Sequence, residues 1–264
     1  MRLDIYLFQN GYVKSRQKAK SLIEGGNVKV NNKSVTKPSY ELKLDCEYNI
    51  EITDDCIYVS RGGLKLEAIL DYANIDVNNK ICIDIGTSTG GFTDCLLKKG
   101  ARQVFAVDSG TNQLDASLRS NTKVLSYENY NARNIDLSLT NTLVDIITID
   151  VSFISQTLIM PSALKLLNEN GVYISLIKPQ FEVGKANIGK GGIVKDKKSV
   201  LNAINTIISC AKMLSYDCVA LIKSPILGGD GNTEYLAVFS KNGHKISESY
   251  IKNIVLNWRG RNEI

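Results

Sequence analysis

The chain of 264 residues is poor in the residue types that most often build metal and nucleophile sites. It has one histidine, His244, in a polar stretch near the C-terminus, which excludes a histidine metal cluster and disfavours a Ser-His-Asp triad. Its six cysteines form no C-x-x-C pair, and several lie in apolar runs, where cysteine acts as a small hydrophobic residue. We therefore expect no disulfide framework and no metal site, and any proton chemistry would use Lys, Asp, Glu, Tyr or Cys.

Long apolar segments are also lacking. No uninterrupted apolar run approaches the ~18 residues of a membrane span, and the first residues lack the charged-then-apolar plan of a signal peptide. With 44% hydrophobic and 22% charged residues, the composition is that of a globular protein. We expect a folded cytoplasmic protein without membrane association, made of one large domain or two unequal ones.

Positive charge is concentrated at the N-terminus. Residues 1–37 carry eight basic and two acidic side chains, whereas residues 40–55 carry six acidic and one basic. The hydrophobic pattern predicts two short helices, the second capped by Ser15, and then strands at 27–31 and 48–52. The sequence thus predicts a small α+β domain with a basic surface.

This basic pattern resembles the S4 RNA-binding domain. The resemblance rests on Arg2, the run 15–20 and the run 22–31 that follows it. It implies that basic side chains meet RNA phosphates, with an affinity that depends on salt and little on base sequence. The residues it assigns to RNA are Arg2, Lys14, Arg16, Lys18 and Lys20. A solvated basic helix without a ligand is the alternative.

Beyond a helical pattern at 64–72, short apolar runs alternate with helical patterns. The runs predict strands at 81–85, 103–107, 123–127, 144–149, 172–177, 218–222 and 235–239. This alternation predicts an α/β domain with a mostly parallel, Rossmann-like sheet and helices on both faces. We place the small domain at 1–58, a linker at 59–63 and the α/β domain at 64–264.

A glycine-rich turn follows the first of these strands, where such sheets bind ligands. Glycines there let backbone N–H groups approach a ligand, Asp84 can accept a hydrogen bond from it, and Asp108 can bind ribose hydroxyls. The G-x-x-x-G-G spacing differs from that of dinucleotide binders. The arrangement resembles the S-adenosylmethionine pocket of Rossmann-like methyltransferases, which implies cofactor contacts from Asp84, Gly86, Ser88, Gly90, Gly91, Phe92 and Asp108.

A second glycine-rich segment, 184–191, has the spacing of a P-loop. It carries glycine where Mg²⁺ binding needs serine or threonine, which argues against nucleotide hydrolysis. We interpret 181–192 as a mobile basic loop near the active site and a candidate lid over RNA.

Four charged residues, Lys65, Asp150, Lys178 and Glu234, are predicted at or near the mouth of the sheet. A charge beside an apolar strand is costly without partners, so we expect the four to converge. The set resembles the K-D-K-E tetrad of FtsJ-type ribose 2'-O-methyltransferases. Together with the S4-like domain and the motifs at 60–66, 84–92, 150–155 and 177–182, it resembles the TlyA family of rRNA 2'-O-methyltransferases, also called haemolysin A.

The resemblance implies S-adenosylmethionine-dependent methylation of cytidine in 16S rRNA, 23S rRNA or both. The implied partners are ribosomal RNA or ribosomal subunits, and no protein partner is predicted. The run 150–153 lacks the proline-rich motif usual in methyltransferases of base amino groups, which favours ribose over a nucleobase. The alternatives are a membrane-active cytolysin and a non-catalytic S4-type RNA-binding protein.

An amine can accept the proton of a ribose hydroxyl when burial and a neighbouring cation lower its pKa. Lys178 is the candidate base and Lys65 the neighbouring cation. Asp150 and Glu234 would orient the two lysines, and no metal is required.

Overall fold

The structure is a computed structural model that describes residues 1–13, 16–43, 46–53, 57–184 and 187–256. The chain divides into two compact units, Met1–Arg61 and Gly62–Ile264. The division falls inside the predicted linker, while the domain bounds given above stay a prediction. Within the described ranges, no helix combines the length and the apolar character needed to cross a bilayer.

The first unit has two helices and a small sheet. Its elements are α1 Leu3–Gln9, α2 Arg16–Glu24, β1 Val28–Val30, β2 Lys33–Ser34 and β3 Ile50–Ile52. The sheet has the order β2-β1-β3 and is antiparallel. Asn31 and Asn32 form the turn between β1 and β2 with φ of 49° and 64°, a region that asparagine tolerates. The predicted cap Ser15 lies outside the described residues.

The second unit alternates helices and strands. Its helices are α3 Gly62–Tyr72, α4 Gly91–Lys98, α5 Ala116–Arg119, α6 Met160–Ala163, α7 Pro179–Glu182, α8 Lys197–Met213 and α9 Glu248–Leu256. Its strands are β4 Ile81–Ile85, β5 Gln103–Val107, β6 Val124–Tyr127, β7 Val144–Ile149, β8 Leu167–Ile177, β9 Asp217–Lys223 and β10 Tyr235–Ser240. Short 3₁₀ helices lie between several of these elements, among them Leu137–Leu139 and Gln156–Leu158.

The strands form one sheet of seven in the order β6-β5-β4-β7-β8-β10-β9. All neighbours are parallel except β10, which is antiparallel to β8 and β9. The predicted mostly parallel sheet is confirmed. Its core includes the fully buried side chains of Ile83, Ile147, Tyr173, Leu221 and Phe239.

The reversed direction of β10 matters for the position of the site. Tyr235, the first residue of β10, pairs with Ile177, the last residue of β8. The amino end of β10 therefore lies at the edge where the parallel strands have their carboxyl ends. We call this edge, formed by the ends of β4, β5, β7 and β8 and the start of β10, the carboxyl edge.

Candidate active site

The turn after β4 has a left-handed backbone at three positions, Gly86, Ser88 and Gly90, with φ of 81°, 49° and 95°. The N–H of Gly86 and the hydroxyl of Thr87 both donate to the carbonyl of Val107, at 2.8 and 3.1 Å. The turn leads directly into α4, where the N–H groups of the first helical turn have no carbonyl partner within the helix. The carbonyl of Val107 at the end of β5 thus holds the turn in place, and the backbone N–H groups without a partner in the helix lie where the turn enters α4.

Gly86 lies directly against the segment that follows β7. A Cβ on Gly86 would overlap the carbonyl oxygen of Asp150 and lie 2.8 Å from its carbonyl carbon. The N–H of Asp150 donates to the carbonyl of Ile85 at 2.9 Å. Only glycine fits this contact and this φ without strain. The contact places the first acidic residue of the predicted tetrad beside the glycine-rich turn.

Asp84 differs from the sequence-based expectation of a direct ligand contact. Its side chain is fully buried, and its carboxylate accepts hydrogen bonds from the hydroxyls of Thr93 at 2.7 Å and Thr148 at 2.8 Å. Burial raises the pKa of Asp84 to about 6, although these hydrogen bonds oppose the change. Asp84 therefore joins β4, β7 and α4 behind the turn, because its carboxylate faces the interior.

Asp108 and Phe92 also have defined positions. Asp108 follows β5 and accepts the N–H groups of Ser88 and Gly110, each at 2.7 Å. These two hydrogen bonds fix the turn, and because Asp108 is half-buried its side chain keeps some contact with solvent. The side chain of Phe92 is only 3% exposed and packs inside the domain. A ligand at the turn could therefore meet the backbone of Phe92 but not its ring.

The four predicted tetrad residues form two ion pairs. Lys178 Nζ lies 2.5 Å from Asp150 Oδ1, and Lys65 Nζ lies 2.5 Å from Glu234 Oε2. Lys178 also donates to the hydroxyl of Ser152 at 3.1 Å. Lys65 and Glu234 are buried, whereas Asp150 and Lys178 are half-buried. The Lys178 pair is therefore the more accessible of the two.

Strand register brings the two pairs to one place. Asp150 follows β7, Lys178 follows β8 and Glu234 precedes β10, and these are three adjacent strands. Neighbouring strands are about 4.8 Å apart, so the three side chains start from neighbouring positions on the carboxyl edge. Lys65 reaches the same edge from α3 through its contact with Glu234. Two lysine–carboxylate pairs therefore start from neighbouring positions at this edge, and the catalytic role of the four residues stays a prediction.

A partly buried polar network beside the tetrad contains residues for which the sequence predicted no role. Glu182 accepts the hydroxyl of Ser155 at 2.6 Å and the N–H of Gln156 at 3.0 Å. The side chain of Gln156 donates to the carbonyl of Leu176 and accepts the hydroxyl of Ser175, both at 2.6 Å. Burial raises the pKa of Glu182, and the hydrogen bonds to it partly offset this effect.

We call Glu182, Ser155, Gln156 and Ser175 the clamp. It joins the segment after β7, which carries Asp150 and Ser152, to β8 and α7, the two elements on either side of Lys178. The only sequence signal for it is that Ser155 and Glu182 belong to the motifs at 150–155 and 177–182.

An exposed aromatic pair lies in the same two segments. Phe153 is 92% exposed and has a left-handed φ of 65°, which is unusual for a bulky residue. Its ring centroid lies 5.0 Å from that of Phe181, three residues after Lys178. Strained backbone of this kind concentrates at functional sites. The pair offers an apolar surface beside the tetrad.

The predicted loop 181–192 is described in part, because residues 185 and 186 lie outside the described ranges. It begins inside α7, and its end is held by the buried Asn232. The amide of Asn232 donates to the carbonyl of Gly192 and accepts the N–H of Val194, both at 2.9 Å. Its mobility and its role as a lid stay predictions.

The predicted RNA-binding residues lie in the first unit. Arg2 precedes α1 and Arg16 begins α2, and both side chains are over two-fifths exposed. Lys20 is exposed and Lys18 is half-buried on α2, while Lys14 lies outside the described residues. Arg2, Arg16 and Lys20 therefore reach the surface of this unit.

A mostly parallel sheet of seven strands, with a glycine-rich turn after β4 and four charged residues at its carboxyl edge, defines the class of Rossmann-like methyltransferases. Two family models match the chain: FtsJ-like methyltransferase over residues 58–241 and S4 domain over residues 1–45.

Relatives and a solved structure agree with this class. Hemolysin A of Brachyspira hyodysenteriae is 46% identical over 90% of this chain and 99% of its own length. The 16S/23S rRNA (cytidine-2'-O)-methyltransferase TlyA of Mycobacterium tuberculosis is 35% identical over 89% of this chain and 87% of its own length. A solved structure described as a hemolysin from Streptococcus thermophilus has a TM-score of 0.77 and 38% identity, and the match covers 97% of this chain and 94% of that one. The chain belongs to the TlyA (hemolysin A) family of FtsJ-like methyltransferases.

Proposed function

We propose that the protein is an S-adenosylmethionine-dependent 2'-O-ribose methyltransferase that acts on ribosomal RNA, at cytidine in 16S rRNA, 23S rRNA or both. The observation that carries the proposal is the placement of the pairs Lys178–Asp150 and Lys65–Glu234 on adjacent strand ends, beside the turn at Gly86. The S4 domain and the activity in the name of the mycobacterial relative support ribosomal RNA as the substrate.

The residues at the glycine-rich turn fit the proposed cofactor. Gly86 and Gly90 supply the left-handed backbone that lets the turn fold tightly, and the first turn of α4 supplies backbone N–H donors. Asp108 keeps a half-buried carboxylate next to the turn, where hydroxyls of a ribose could be bound. When bound, S-adenosylmethionine would supply an electrophilic methyl group on its sulfonium.

The tetrad would prepare the ribose 2'-hydroxyl for attack. Lys178 in its neutral form accepts the hydroxyl proton, and Asp150 and Ser152 hold its Nζ in place. The proton then resides on Lys178, where the carboxylate of Asp150 stabilises the new positive charge. The pair Lys65–Glu234 fixes a second cation at the same edge. These residues act mainly by positioning the reacting groups.

Each of the two units has a surface that suits an RNA substrate. Phe153 and Phe181 provide rings on which a base next to the reacting ribose can stack. The first unit provides the basic residues Arg2, Arg16, Lys18 and Lys20 for phosphates, together with Lys14 as a sequence-based candidate. An enzyme with this substrate would work in the cytoplasm, on free rRNA or on ribosomal subunits.

The test is methyl transfer from labelled S-adenosylmethionine to 16S and 23S rRNA transcripts and to intact subunits, followed by mapping of 2'-O-methyl positions. Lys178→Ala should lower the transfer rate at least ~100-fold, because the proton acceptor is lost, while the affinities for cofactor and RNA change little. The matched control is Lys80→Ala, since Lys80 precedes β4 and starts from the opposite edge of the sheet. Full activity of Lys178→Ala would contradict the assignment.

The two alternatives have distinct outcomes. A non-catalytic RNA-binding protein would bind RNA and transfer no methyl group with any of these substrates. The haemolysin alternative is supported only by the names of relatives and by no feature of the site, and lysis of red cells by the purified protein would be the observation in its favour.

A further inference from the structure

One carboxylate in the first unit holds two arginines. Arg2 donates to Asp4 through Nε to Oδ1 at 2.9 Å and through Nη2 to Oδ2 at 3.2 Å. Arg16 donates through Nε to Asp4 Oδ2 at 2.8 Å. Asp4 is fully buried, while the side chains of Arg2 and Arg16 are 41% and 47% exposed. A buried anion thus lies beneath two cations at the surface.

The charge state of this group follows from its contacts. Burial alone would raise the pKa of Asp4, but the hydrogen bonds and positive charges of Arg2 and Arg16 outweigh burial and lower it. Asp4 is therefore ionised at neutral pH, and the trio carries one net positive charge. A single arginine would neutralise the carboxylate, so the second one leaves an excess charge at the surface.

The geometry leaves donors for a ligand. A guanidinium has five N–H donors, and Arg16 uses its Nε and Arg2 its Nε and Nη2 on Asp4. The remaining N–H groups belong to side chains that are nearly half exposed. Arg2 precedes α1 and Arg16 begins α2, and both bind Asp4 in the first turn of α1. Asp4 therefore determines where the two guanidinium groups lie relative to each other.

We propose that Asp4 is a positioning residue that holds Arg2 and Arg16 as one paired site for phosphate groups of the RNA backbone. The inference rests on the proposed function, because it takes RNA as the ligand of this unit. An arginine that is already fixed loses less side-chain freedom when it binds a phosphate, and its planar donor group is presented in one orientation.

The variant Asp4→Asn separates this inference from simple electrostatics. It raises the charge of the trio by one unit, so charge alone predicts tighter RNA binding. Loss of the fixed geometry predicts weaker binding instead. The Kd for 16S and 23S rRNA transcripts should rise roughly fivefold or more, which corresponds to about 0.5 kcal/mol or more for each of the two released arginine side chains. The matched control is Glu51→Gln, which makes the same charge change at an exposed pair with Lys29 in the same unit.

Further measurements exclude unfolding as the cause. In the background Arg2→Ala plus Arg16→Ala, Asp4→Asn should cause no additional loss of RNA affinity, because Asp4 acts through these two residues. An unfolded unit would lose affinity further in that background, and this result would overturn the inference. The affinity for S-adenosylmethionine should stay the same in all variants.

The remaining outcomes are equally decisive. RNA binding by Asp4→Asn that equals or exceeds that of Glu51→Gln would overturn the inference and leave the proposed function intact. Failure of the wild-type protein to bind rRNA would overturn both.

Discussion

At the scale of single residues, Asp84 carries a carboxyl group that the fold has removed from water. Its pKa of about 6 lies above the usual range because burial outweighs the hydrogen bonds from Thr93 and Thr148. Because the folded state binds this proton more tightly than the unfolded state, protonation of Asp84 stabilises the fold. This stabilisation is fully present below about pH 4 and is lost as the pH rises through 6.

The variant Asp84→Asn keeps a neutral side chain at every pH. Between pH 4 and pH 7 the wild type should lose about 3 kcal/mol of unfolding free energy through Asp84, since one pKa unit corresponds to 1.36 kcal/mol. The variant should not lose it, so the difference in unfolding free energy, variant minus wild type, should rise by about 3 kcal/mol. Denaturant unfolding across this range measures the gap. The exposed Asp230→Asn is the matched control and should show a nearly constant difference from the wild type. Parallel pH profiles of Asp84→Asn and wild type would contradict the assigned pKa.

At the scale of elements, the clamp joins the segment after β7 to β8 and α7, which lie on either side of Lys178. Glu182→Ala removes the acceptor for Ser155 and Gln156 and should release the segment that carries Asp150 and Ser152. We expect a loss of roughly 1–3 kcal/mol in stability, because the half-buried hydroxyl of Ser155 and the N–H of the buried Gln156 lose their acceptor. The rate of methyl transfer at saturating RNA and cofactor should fall more than either affinity, since geometry around Lys178 is lost.

Two variants isolate the clamp. Glu182→Gln can still accept the N–H of Gln156, so it should retain much of the activity. Asp136 caps the 3₁₀ helix Leu137–Leu139 and accepts the hydroxyl and the N–H of Ser138. Asp136→Ala is therefore the control for the loss of a carboxylate cap outside the clamp. If Glu182→Ala and Asp136→Ala reduced the transfer rate equally, the clamp would have no special part in positioning.

At the scale of the whole molecule, the positive charge lies at one end of the chain. The net charge is +5, and residues 1–37 alone contribute +6, which leaves the rest, with 24 basic and 25 acidic residues, at −1. RNA affinity should therefore depend on salt through the first unit. Arg16→Ala should weaken rRNA binding and reduce the slope of log affinity against log salt by about 1, with cofactor affinity unchanged. An unaltered slope in a salt titration would place the phosphate contacts elsewhere.

Much of the fold and part of the site could be predicted from local patterns. Apolar runs at 81–85, 103–107 and 144–149 became β4, β5 and β7 with the same bounds, because a strand buried on both faces has a continuous apolar sequence. Lys65, Asp150, Lys178 and Glu234 could be placed at one edge because charges beside apolar strands need partners. The direction of Asp84 could not be predicted, since the pattern does not show which way a carboxylate at a strand end faces.

The sequence by itself determined the strand and helix alternation and the basic N-terminus, because these depend on residue type and short-range spacing. The tetrad was predicted from charges at strand ends and from the resemblance to FtsJ-type methyltransferases. Only the tertiary structure decided that Lys178 pairs with Asp150 and Lys65 with Glu234, which are up to 169 residues apart. It also decided that Gly86 contacts Asp150 and that one buried Asp4 holds two arginines. Contacts of this kind follow from strand order and packing, and neither can be read from neighbouring residues.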